Sequence, residues 1–259
     1  MVFDGKAFAA RRREELMRER TRFGALTLGI VAAQGNPVTD SYVRIKEKNA
    51  DALDIGLRRF LLGADATTDE ALRLVREASA CGGVIVQLPL PAGIDTDAVL
   101  AAIPPERDVD ALSGRTSVLP PVVAAIDAIL SDQGVVVAGK RAVVVGKGRL
   151  VGKPAARYLN ERGADVAVLA HGDDLAAAVR GADILVLGAG SPRIVTKNMV
   201  KEGVVVFDAG TSEAGGVVVG DADPAVAEKA ALFTPVPGGI GPVAVIEIFS
   251  NLLKLQKSG

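Results

Sequence analysis

The fold is indicated most clearly by residues 141–170, RAVVVGKGRLVGKPAARYLNERGADVAVLA. An apolar run is followed by a turn with Gly146, Gly148 and Gly152, by a stretch of mixed polarity that opens near Pro154, and by a second apolar run. Proline suits the first turn of a helix. This order predicts a strand–helix–strand unit, with strands at 141–145 and 165–170 and a helix at 154–162.

The turn between the first strand and the helix has the chemistry of an anion-binding loop. Its pattern, G-x-G-x-x-x-G, is one residue longer than the usual dinucleotide fingerprint. Glycines let the backbone approach a pyrophosphate closely, and the helix N-terminus adds free N–H groups and the positive end of a dipole. We therefore predict that Gly146, Lys147, Gly148, Arg149 and Gly152 bind a nicotinamide dinucleotide. The alternative is a turn whose glycines serve only close packing.

The end of the second strand leaves the choice between NAD and NADP open. An NAD site usually has an acid here that bonds the ribose 2′-OH, but two acids follow only after His171 and Gly172. Lys147, Arg149 and Lys153 are available to a 2′-phosphate instead. His171 is the single histidine of the chain. We interpret it as a neighbour of the adenosine ribose, or as an exposed residue without a role, rather than as a catalytic base.

The rest of the chain alternates strands and helices, which predicts an α/β fold with buried parallel strands. Before the turn we predict strands at 26–32 and 83–90, and helices at 4–22, 69–80, 95–103, 122–130 and from Thr39 or Asp40 to 53. After the unit we predict helices at 175–179 and 242–257 and strands at 184–187, 204–207 and 217–219. The polar segment 106–121 is predicted to link a first domain to a Rossmann-like, doubly wound second domain.

Composition limits the possible partners and compartments. The 259 residues are 49% hydrophobic and 24% charged with a net charge of −1, which suits two domains and gives no reason to expect nucleic acid or an anionic membrane as partner. No apolar run reaches the roughly 18 residues of a spanning helix, and the N-terminus lacks the pattern of a signal peptide. The single Cys81 is interpreted as a small core residue. We expect a cytoplasmic protein.

Candidate catalytic residues lie in the first half. Tyr42 and Lys46 are four residues apart on a predicted helix and therefore share one face. A lysine in a partly closed pocket can have its pKa lowered and so become a usable proton carrier. Gln87 is a polar amide inside an apolar strand and needs a partner if it is buried. The alternatives are a surface pair, a structural amide and, for Asp108 and Asp110, simple turn formation.

A stiff loop lies late in the chain. Residues 235–242, PVPGGIGP, contain three prolines and three glycines. Such a loop, with Pro237, Gly238 and Gly239 at its centre, can present backbone N–H and C=O groups to a planar ligand. The alternative is a hinge.

Taken in order, these segments resemble one family, the bifunctional methylenetetrahydrofolate dehydrogenase/methenyltetrahydrofolate cyclohydrolases of the FolD type. Any single match is modest, but the ordered set covers nearly the whole chain. The matching segments are 42–48 (YVRIKEK), 83–91 (GVIVQLPLP), 108–110 (DVD), 146–154 (GKGRLVGKP), 204–210 (VVVFDAG), 220–223 (GDAD) and 234–242 (TPVPGGIGP).

The resemblance implies roles for individual residues. Lys46 matches the catalytic lysine, Tyr42 its partner that stacks near the folate, and Gln87 the glutamine that contacts and tunes the lysine. Asp110 matches the acid that bonds the pterin ring. Pro237, Gly238 and Gly239 match the loop lining the folate pocket, and residues 146–152 match the cofactor loop with His171 nearby.

The resemblance also implies an organisation. It suggests a folate-binding catalytic domain of residues 1–113 and 243–259, an NAD(P)-binding domain of residues 114–242, an active site in the cleft between them, and a homodimer. The cofactor that the resemblance implies is NADP, with NAD as the alternative, and the implied substrate is a tetrahydrofolate. No metal is required, because the folate nitrogens can drive loss of hydride and Lys46 can carry the proton in hydrolysis.

Two other functions remain open at the level of sequence. One is a two-domain NAD(P)-dependent oxidoreductase that acts on a shikimate-like acid, although it leaves the segments around Lys46 and Gln87 unexplained. The other is a non-enzymatic nucleotide sensor that has kept the fold.

Several positions depart from the usual family pattern. Ala111 replaces a glycine after Asp-Val-Asp, and the following linker is shorter. Residues 120–123 are Pro-Pro-Val-Val instead of Pro-Cys-Thr-Pro, and the cofactor turn begins Gly-Lys-Gly instead of Gly-Arg-Ser. Gly172 replaces a serine and Ala244 a threonine. Three of these changes remove polar groups near the cofactor or folate, which bears on NADP preference and on activity more than on fold.

Overall fold

The computed structural model describes residues 1–35, 37–214 and 217–257. Asn36, Gly215 and Gly216 lie outside the described residues. So do Ser258 and Gly259, which end the segment 243–259 assigned to the catalytic domain. The chain packs as two compact units. We call residues 11–121 and 245 onwards the three-strand unit, and residues 1–10 and 122–244 the five-strand unit.

The elements are numbered in chain order. The described strands are β1 Thr27–Ala33, β2 Gly56–Leu62, β3 Gly83–Gln87, β4 Arg141–Val145, β5 Asp165–Leu169, β6 Ile184–Leu187, β7 Val205–Asp208, β8 Ser212–Ala214, β9 Val217–Val219 and β10 Leu232–Thr234. The described α-helices are α1 Gly5–Arg20, α2 Pro37–Ala52, α3 Thr68–Ala78, α4 Thr96–Ala101, α5 Pro121–Asp132, α6 Gly152–Glu161, α7 Leu175–Val179 and α8 Ile240–Lys257. Residues Lys197–Met199 and Pro224–Glu228 form short 3-10 helices.

The five-strand unit contains a parallel sheet in the order β10-β7-β6-β4-β5. Strand β6 is buried along its whole length and β4 along all but its first residue, which explains their nearly continuous Val, Ile and Leu runs. The chain leaves β4 for β5 on one side and returns to β6 on the other. The carboxyl ends of β4 and β6 therefore flank the point where strand order reverses, which is where such sheets bind ligands.

The three-strand unit contains a parallel sheet in the order β2-β1-β3. Helix α3 packs against it through Ala71, Leu74, Val75 and Ala78, which recur at helical spacing. Thr67 caps this helix, because its hydroxyl accepts a hydrogen bond from the Glu70 N–H. The predicted fold class, α/β with a Rossmann-like doubly wound parallel sheet and a second α/β unit, is confirmed.

Three strands were not predicted, and their sequences explain why. Strand β2 contains Arg58 and Arg59, but it lies at the edge of its sheet, where charged side chains reach solvent. There Arg58 lies over the Phe60 ring and Arg59 pairs with Glu47. Strands β8 and β10 have three residues each, too few for a period to be recognised.

Most predicted helix and strand ends differ from the structure by one to three residues, and two of these differences have a clear physical cause. Helix α2 begins at Pro37 rather than after a cap at Thr39 or Asp40, because proline is itself suited to the first helical position. Strand β3 ends at Gln87 rather than at residue 90, since Pro89 and Pro91 have no N–H for a sheet ladder.

The first ten residues pack with the five-strand unit, a contribution that the sequence did not indicate. Val2 forms a parallel bridge with Phe233 in β10, and the Phe3 N–H donates to the Phe233 carbonyl at 2.8 Å. The domain boundaries predicted at 113/114 and 242/243 remain a prediction. Among the described residues, no helix is both long and apolar enough to cross a membrane.

Ala111, which replaces the glycine usual in the family, adopts a strained backbone conformation. Its φ is +55°, in the left-handed region that favours glycine. The residue lies in a loop folded around Asp108, whose carboxylate accepts from the Leu112 and Ser113 N–H groups at 3.1 and 2.7 Å. The loop therefore holds Ala111 in a conformation that costs about 1–2 kcal/mol relative to glycine.

We predict that Ala111→Gly raises the free energy of unfolding by about 0.5–1 kcal/mol in urea denaturation. The relieved strain exceeds the roughly 0.4–1 kcal/mol that glycine's extra freedom in the unfolded chain costs. The matched control is Ala156→Gly within α6, which should lower stability by about 1 kcal/mol. A loss of stability in Ala111→Gly similar to that of the control would contradict the assignment of strain.

Candidate functional site

Lys46 and Gln87 form a direct contact in the three-strand unit. Lys46 projects from α2 and is only 7% exposed. Its Nζ donates a hydrogen bond of 2.6 Å to Oε1 of Gln87, the last residue of β3. The Gln87 amide is itself oriented, because its Nε2 donates to the Leu88 carbonyl at 3.1 Å. A buried lysine is thus held at the carboxyl end of a buried strand.

Asp110 is coupled electrostatically to Lys46. Burial lowers the pKa of Lys46 from its ordinary 10.5, and the negative charge of Asp110 opposes this change. Burial raises the pKa of Asp110 from 3.8 to about 6; the Lys46 charge acts against this rise and the Asp108 charge adds to it. Both groups therefore have pKa values moved towards neutrality, which suits proton transfer near pH 7.

The segment that carries Asp110 is fixed from two directions. Residues 107–108 lie against β3, where the Val84 N–H donates to the Arg107 carbonyl at 2.7 Å. From α8, the buried Asn251 donates through Nδ2 to the Val109 and Leu119 carbonyls at 2.9 and 2.8 Å. Sequence reasoning missed Asn251, since one amide in a long apolar helix carries no recognisable signal.

Tyr42 lies one turn before Lys46 on α2 and is 42% exposed. Its ring is therefore accessible to a planar ligand. A shallow depression near the carboxyl ends of β1 and β3 is lined in part by Gln34, Pro89 and Pro91, but not by Tyr42, Lys46, Gln87 or Asp110. The structure thus brings Lys46, Gln87 and Asp110 together and places Tyr42 on the same helix.

The glycine turn in the five-strand unit follows β4 directly, as predicted. Gly146 has φ +106°, and a Cβ atom there would lie 2.5 Å from the Gly188 carbonyl oxygen. A Cβ atom on Gly152 would lie 1.9 Å from the Gly146 oxygen. By contrast, a Cβ atom on Gly148 would meet nothing within 4 Å. Gly146 and Gly152 are thus required by packing, and Gly148 leaves open space where a pyrophosphate can approach the backbone of an exposed loop.

The residues around this turn are charged and exposed. Lys147, Arg149 and Lys153 are all exposed, and so is His171, two residues after β5. The two acids that follow bond to backbone. The Asp173 carboxylate accepts from the Ala170 N–H at 2.7 Å, and Asp174 caps α7 by accepting from the Ala177 N–H at 3.0 Å. Exposed basic side chains therefore lie near the turn, while both neighbouring carboxylates accept hydrogen bonds from backbone N–H groups.

The predicted Pro-Gly-Gly loop also belongs to the five-strand unit. Gly238 has φ +105°, and the Gly239 N–H donates to the Pro235 carbonyl at 2.7 Å, which closes a turn around Pro237. A Cβ atom on Gly5 of α1 would lie 1.8 Å from the Gly239 oxygen. The loop therefore depends on a glycine at the opposite end of the sequence, which no local pattern could have revealed.

Within the described residues, no three His, Cys, Asp or Glu side chains are grouped so as to hold a metal ion. A buried lysine oriented by an amide, together with a glycine turn at a Rossmann-like switch point, is typical of a two-domain dinucleotide-dependent enzyme.

Comparison with known proteins specifies the family. Residues 3–110 match the model described as tetrahydrofolate dehydrogenase/cyclohydrolase, catalytic domain, and residues 120–259 match that of the NAD(P)-binding domain. The chain belongs to this family.

Individual relatives match along the whole chain. The bifunctional protein FolD of Halothermothrix orenii is 39% identical, over 99% of this chain and 98% of that protein. The crystal structure of the bifunctional enzyme FolD from Campylobacter jejuni has a TM-score of 0.95 at 31% identity, covering 100% of this chain and 99% of that one. The Trypanosoma brucei enzyme, complexed with NADP and an inhibitor, has a TM-score of 0.93 at 34% identity, covering 100% and 97%.

The coupling between Lys46 and Asp110 can be measured directly. We predict that Lys46→Met raises the pKa of the Asp110 carboxyl above about 6, because the lysine charge that favours the ionised form is lost. Carboxyl ¹³C chemical shifts followed against pH give this value.

The matched control is Lys48→Met, which removes an exposed lysine from the same helix. It should leave the Asp110 titration where it is in the parent protein. An unchanged or lowered Asp110 pKa in Lys46→Met would show that the two groups are not coupled.

Proposed function

We propose that this protein oxidises 5,10-methylenetetrahydrofolate to 5,10-methenyltetrahydrofolate with NADP and hydrolyses the product to 10-formyltetrahydrofolate. The observation that carries the proposal is the buried Lys46 ammonium held by Gln87 beside Asp110, in a chain of this family. The substrate is a reduced folate, and Asp110 is proposed to bond its pterin ring while Tyr42 stacks on it.

The oxidation asks little of the protein beyond alignment. Bound NADP supplies the hydride acceptor, and the folate nitrogens supply the electron pair that drives hydride loss from the bridging methylene. The chain holds the two reactants in register. We assign this task to the turn of residues 146–152 for the dinucleotide and to Pro237, Gly238 and Gly239 for the folate.

The hydrolysis needs a proton carrier. Water adds to the positively charged methenyl carbon and gives up one proton to the carrier. The bond from that carbon to N5 then breaks as N5 gains a proton from the carrier, and the remaining hydroxyl proton leaves to solvent as the formyl carbonyl forms. Lys46 is the group that we assign to both transfers. Burial increases the neutral fraction of its amine near neutral pH, which lets it accept the proton from water. Gln87 fixes the position of Nζ and is a positioning residue for this step.

NADP is proposed as the preferred coenzyme. The carboxylates of Asp173 and Asp174 are directed at backbone N–H groups, whereas Lys147 and Lys153 are exposed beside the turn. This charge distribution favours a 2′-phosphate. Lys147 stands where the family usually has an arginine, and it can supply the same positive charge.

A homodimer is proposed on the family resemblance alone, and a cytoplasmic location on the single cysteine and the sequence patterns of the chain. The reading as an oxidoreductase for a shikimate-like acid has no specific observation in its favour, because both units match models of the folate family. A nucleotide sensor without turnover would show NADP binding with no change in absorbance when methylenetetrahydrofolate is added.

We predict that Lys46→Met lowers cyclohydrolase kcat at least about 100-fold, the usual contribution of a positioned proton carrier. NADP affinity should be unchanged, since the cofactor turn is unaltered. Methenyltetrahydrofolate absorbance, followed with NADP or NAD as coenzyme, reports hydride transfer and hydrolysis together. Lys48→Met should keep both activities, and full hydrolysis in Lys46→Met would remove the assignment of the proton carrier.

We also predict that Lys147→Ala weakens NADP binding about tenfold while leaving NAD binding within about twofold, because one charge pair to the 2′-phosphate is lost. Isothermal titration with each coenzyme measures both affinities. The control Lys140→Ala removes an exposed lysine just before β4, at the opposite end of that strand. Equal losses of NADP and NAD affinity in Lys147→Ala would argue against a role in coenzyme choice.

A further inference from the structure

Two buried carboxylates lie at the carboxyl edge of the five-strand sheet, and the proposed reaction uses neither. Asp208 is the last residue of β7, and Asp221 follows β9 after Gly220. Asp208 is 1% exposed and Asp221 is fully buried. Burial of a carboxylate is costly unless it accepts several hydrogen bonds, so the partners of these two side chains indicate what they hold in place.

Asp221 binds the loop that follows β6. Its Oδ2 accepts from the Ala189 N–H at 2.7 Å and the Gly190 N–H at 3.2 Å, and its Oδ1 accepts from the Ser191 N–H at 2.7 Å. Three consecutive N–H groups that converge in this way form a nest suited to an anion. Here the anion is a side chain of the protein itself, and it fixes the conformation of residues 189–191.

Asp208 in turn fixes the backbone at Asp221. Its Oδ1 accepts from the Gly210 and Asp221 N–H groups at 3.0 and 3.2 Å, and its Oδ2 accepts from the Ala222 N–H at 2.9 Å. The fit is close. A Cβ atom on Gly210 would lie 2.2 Å from Cγ of Asp221, and one on Gly220 would lie 2.1 Å from Oδ2 of Asp208. Little freedom remains for either carboxylate to shift.

The loop held by Asp221 lies against the cofactor turn. Gly188, directly before the loop, has its carbonyl oxygen 2.5 Å from where a Cβ of Gly146 would be, and a Cβ on Gly188 itself would lie 2.6 Å from the Val151 side chain. These residues follow β6 and β4, the two strands that flank the switch point. A displacement of residues 189–191 would therefore reach the wall of the crevice that a dinucleotide enters.

We infer that Asp221 is a positioning residue for the dinucleotide, because its carboxylate holds the 189–191 loop in the conformation that completes the cofactor crevice. The inference rests on the proposed function. It assigns Asp221 no contact with substrate or with reacting atoms. Loss of this carboxylate should weaken dinucleotide binding and leave the lysine site intact, since the crevice lies in the five-strand unit whereas Lys46 and Gln87 lie in the three-strand unit.

The test is Asp221→Asn in the full-length protein. Asparagine has nearly the same shape, but its NH₂ group cannot accept from the N–H groups that one carboxylate oxygen serves, so the loop should lose its fixed position. We expect the Kd for NADP, measured by isothermal titration, to rise at least about tenfold, with a parallel rise in KM for NADP. Cyclohydrolase kcat, measured on supplied methenyltetrahydrofolate without coenzyme, should stay within about twofold.

The matched control is Asp223→Asn, the same substitution two residues later. Asp223 accepts from the Ala225 N–H and caps a short 3-10 helix, a task that asparagine performs equally well. It should leave NADP affinity unchanged. An unchanged Kd for NADP in folded Asp221→Asn would overturn the inference, and so would a parallel loss of NADP binding and cyclohydrolase activity, which would indicate general damage.

The two proposals fail in different ways. If the parent protein binds NADP but shows no turnover of methylenetetrahydrofolate, the proposed function fails while the binding measurement on Asp221→Asn still tests the positioning role. If the parent protein turns over and Asp221→Asn binds NADP normally, only the positioning role is lost.

Discussion

The proposed chemistry depends on one constraint, the burial of a single amine against an amide oxygen. A lysine on the exposed face of a helix would stay protonated near neutral pH and could not accept a proton from water. Lys46 is instead enclosed between α2 and the end of β3, where desolvation lowers its pKa and Gln87 fixes its position. Asp110 supplies the opposing charge that makes the buried ammonium tolerable. The surrounding packing, including Asn251 on the Val109 carbonyl, serves to hold these three groups in place.

In the five-strand unit, the structural requirement is that a dianionic pyrophosphate can approach the backbone of the 146–152 turn. The backbone around this turn is packed so closely that side chains are excluded at two positions. Gly146 lies against Gly188, and Gly152 lies against Gly146. The open space at Gly148 lies in the exposed part of the turn, between these two close contacts. Asp221 extends this arrangement to the neighbouring loop, because one buried carboxylate there satisfies three N–H groups. The rigid parts of the unit thus surround the position where the ligand is proposed to bind.

The sequence was most informative where a local pattern has a physical cause. The strand, glycine turn and helix at 141–162 follow from valine runs and from the needs of a tight turn, and strand β4 has the predicted bounds. The i, i+4 spacing of Tyr42 and Lys46 and the polar Gln87 in an apolar strand pointed to the lysine site. That Lys46 contacts Gln87 was implied by the family resemblance and is present in the structure.

Long-range contacts were beyond local reasoning. Gly5 against Gly239, Asn251 on the loop at 109, and Asp221 on the loop after β6 join residues far apart in the chain. No periodicity marks such residues. Strand β2 was missed for a related reason, since its arginines are explained only by its place at a sheet edge. The left-handed conformation of Ala111 likewise depends on the loop around Asp108 and not on its own residue type.

Titration of the Lys46 amine itself decides whether this side chain can act as the proton carrier. Selective ¹³C labelling of lysine, with the Lys46 signal assigned by its loss in Lys46→Met, allows its pKa to be followed by NMR in the free protein. We expect a midpoint below the ordinary 10.5, because desolvation outweighs the attraction of Asp110. A midpoint at or above 10.5 would show that the amine is solvated or fully ion-paired, and it would contradict the proposed role of Lys46 in proton transfer.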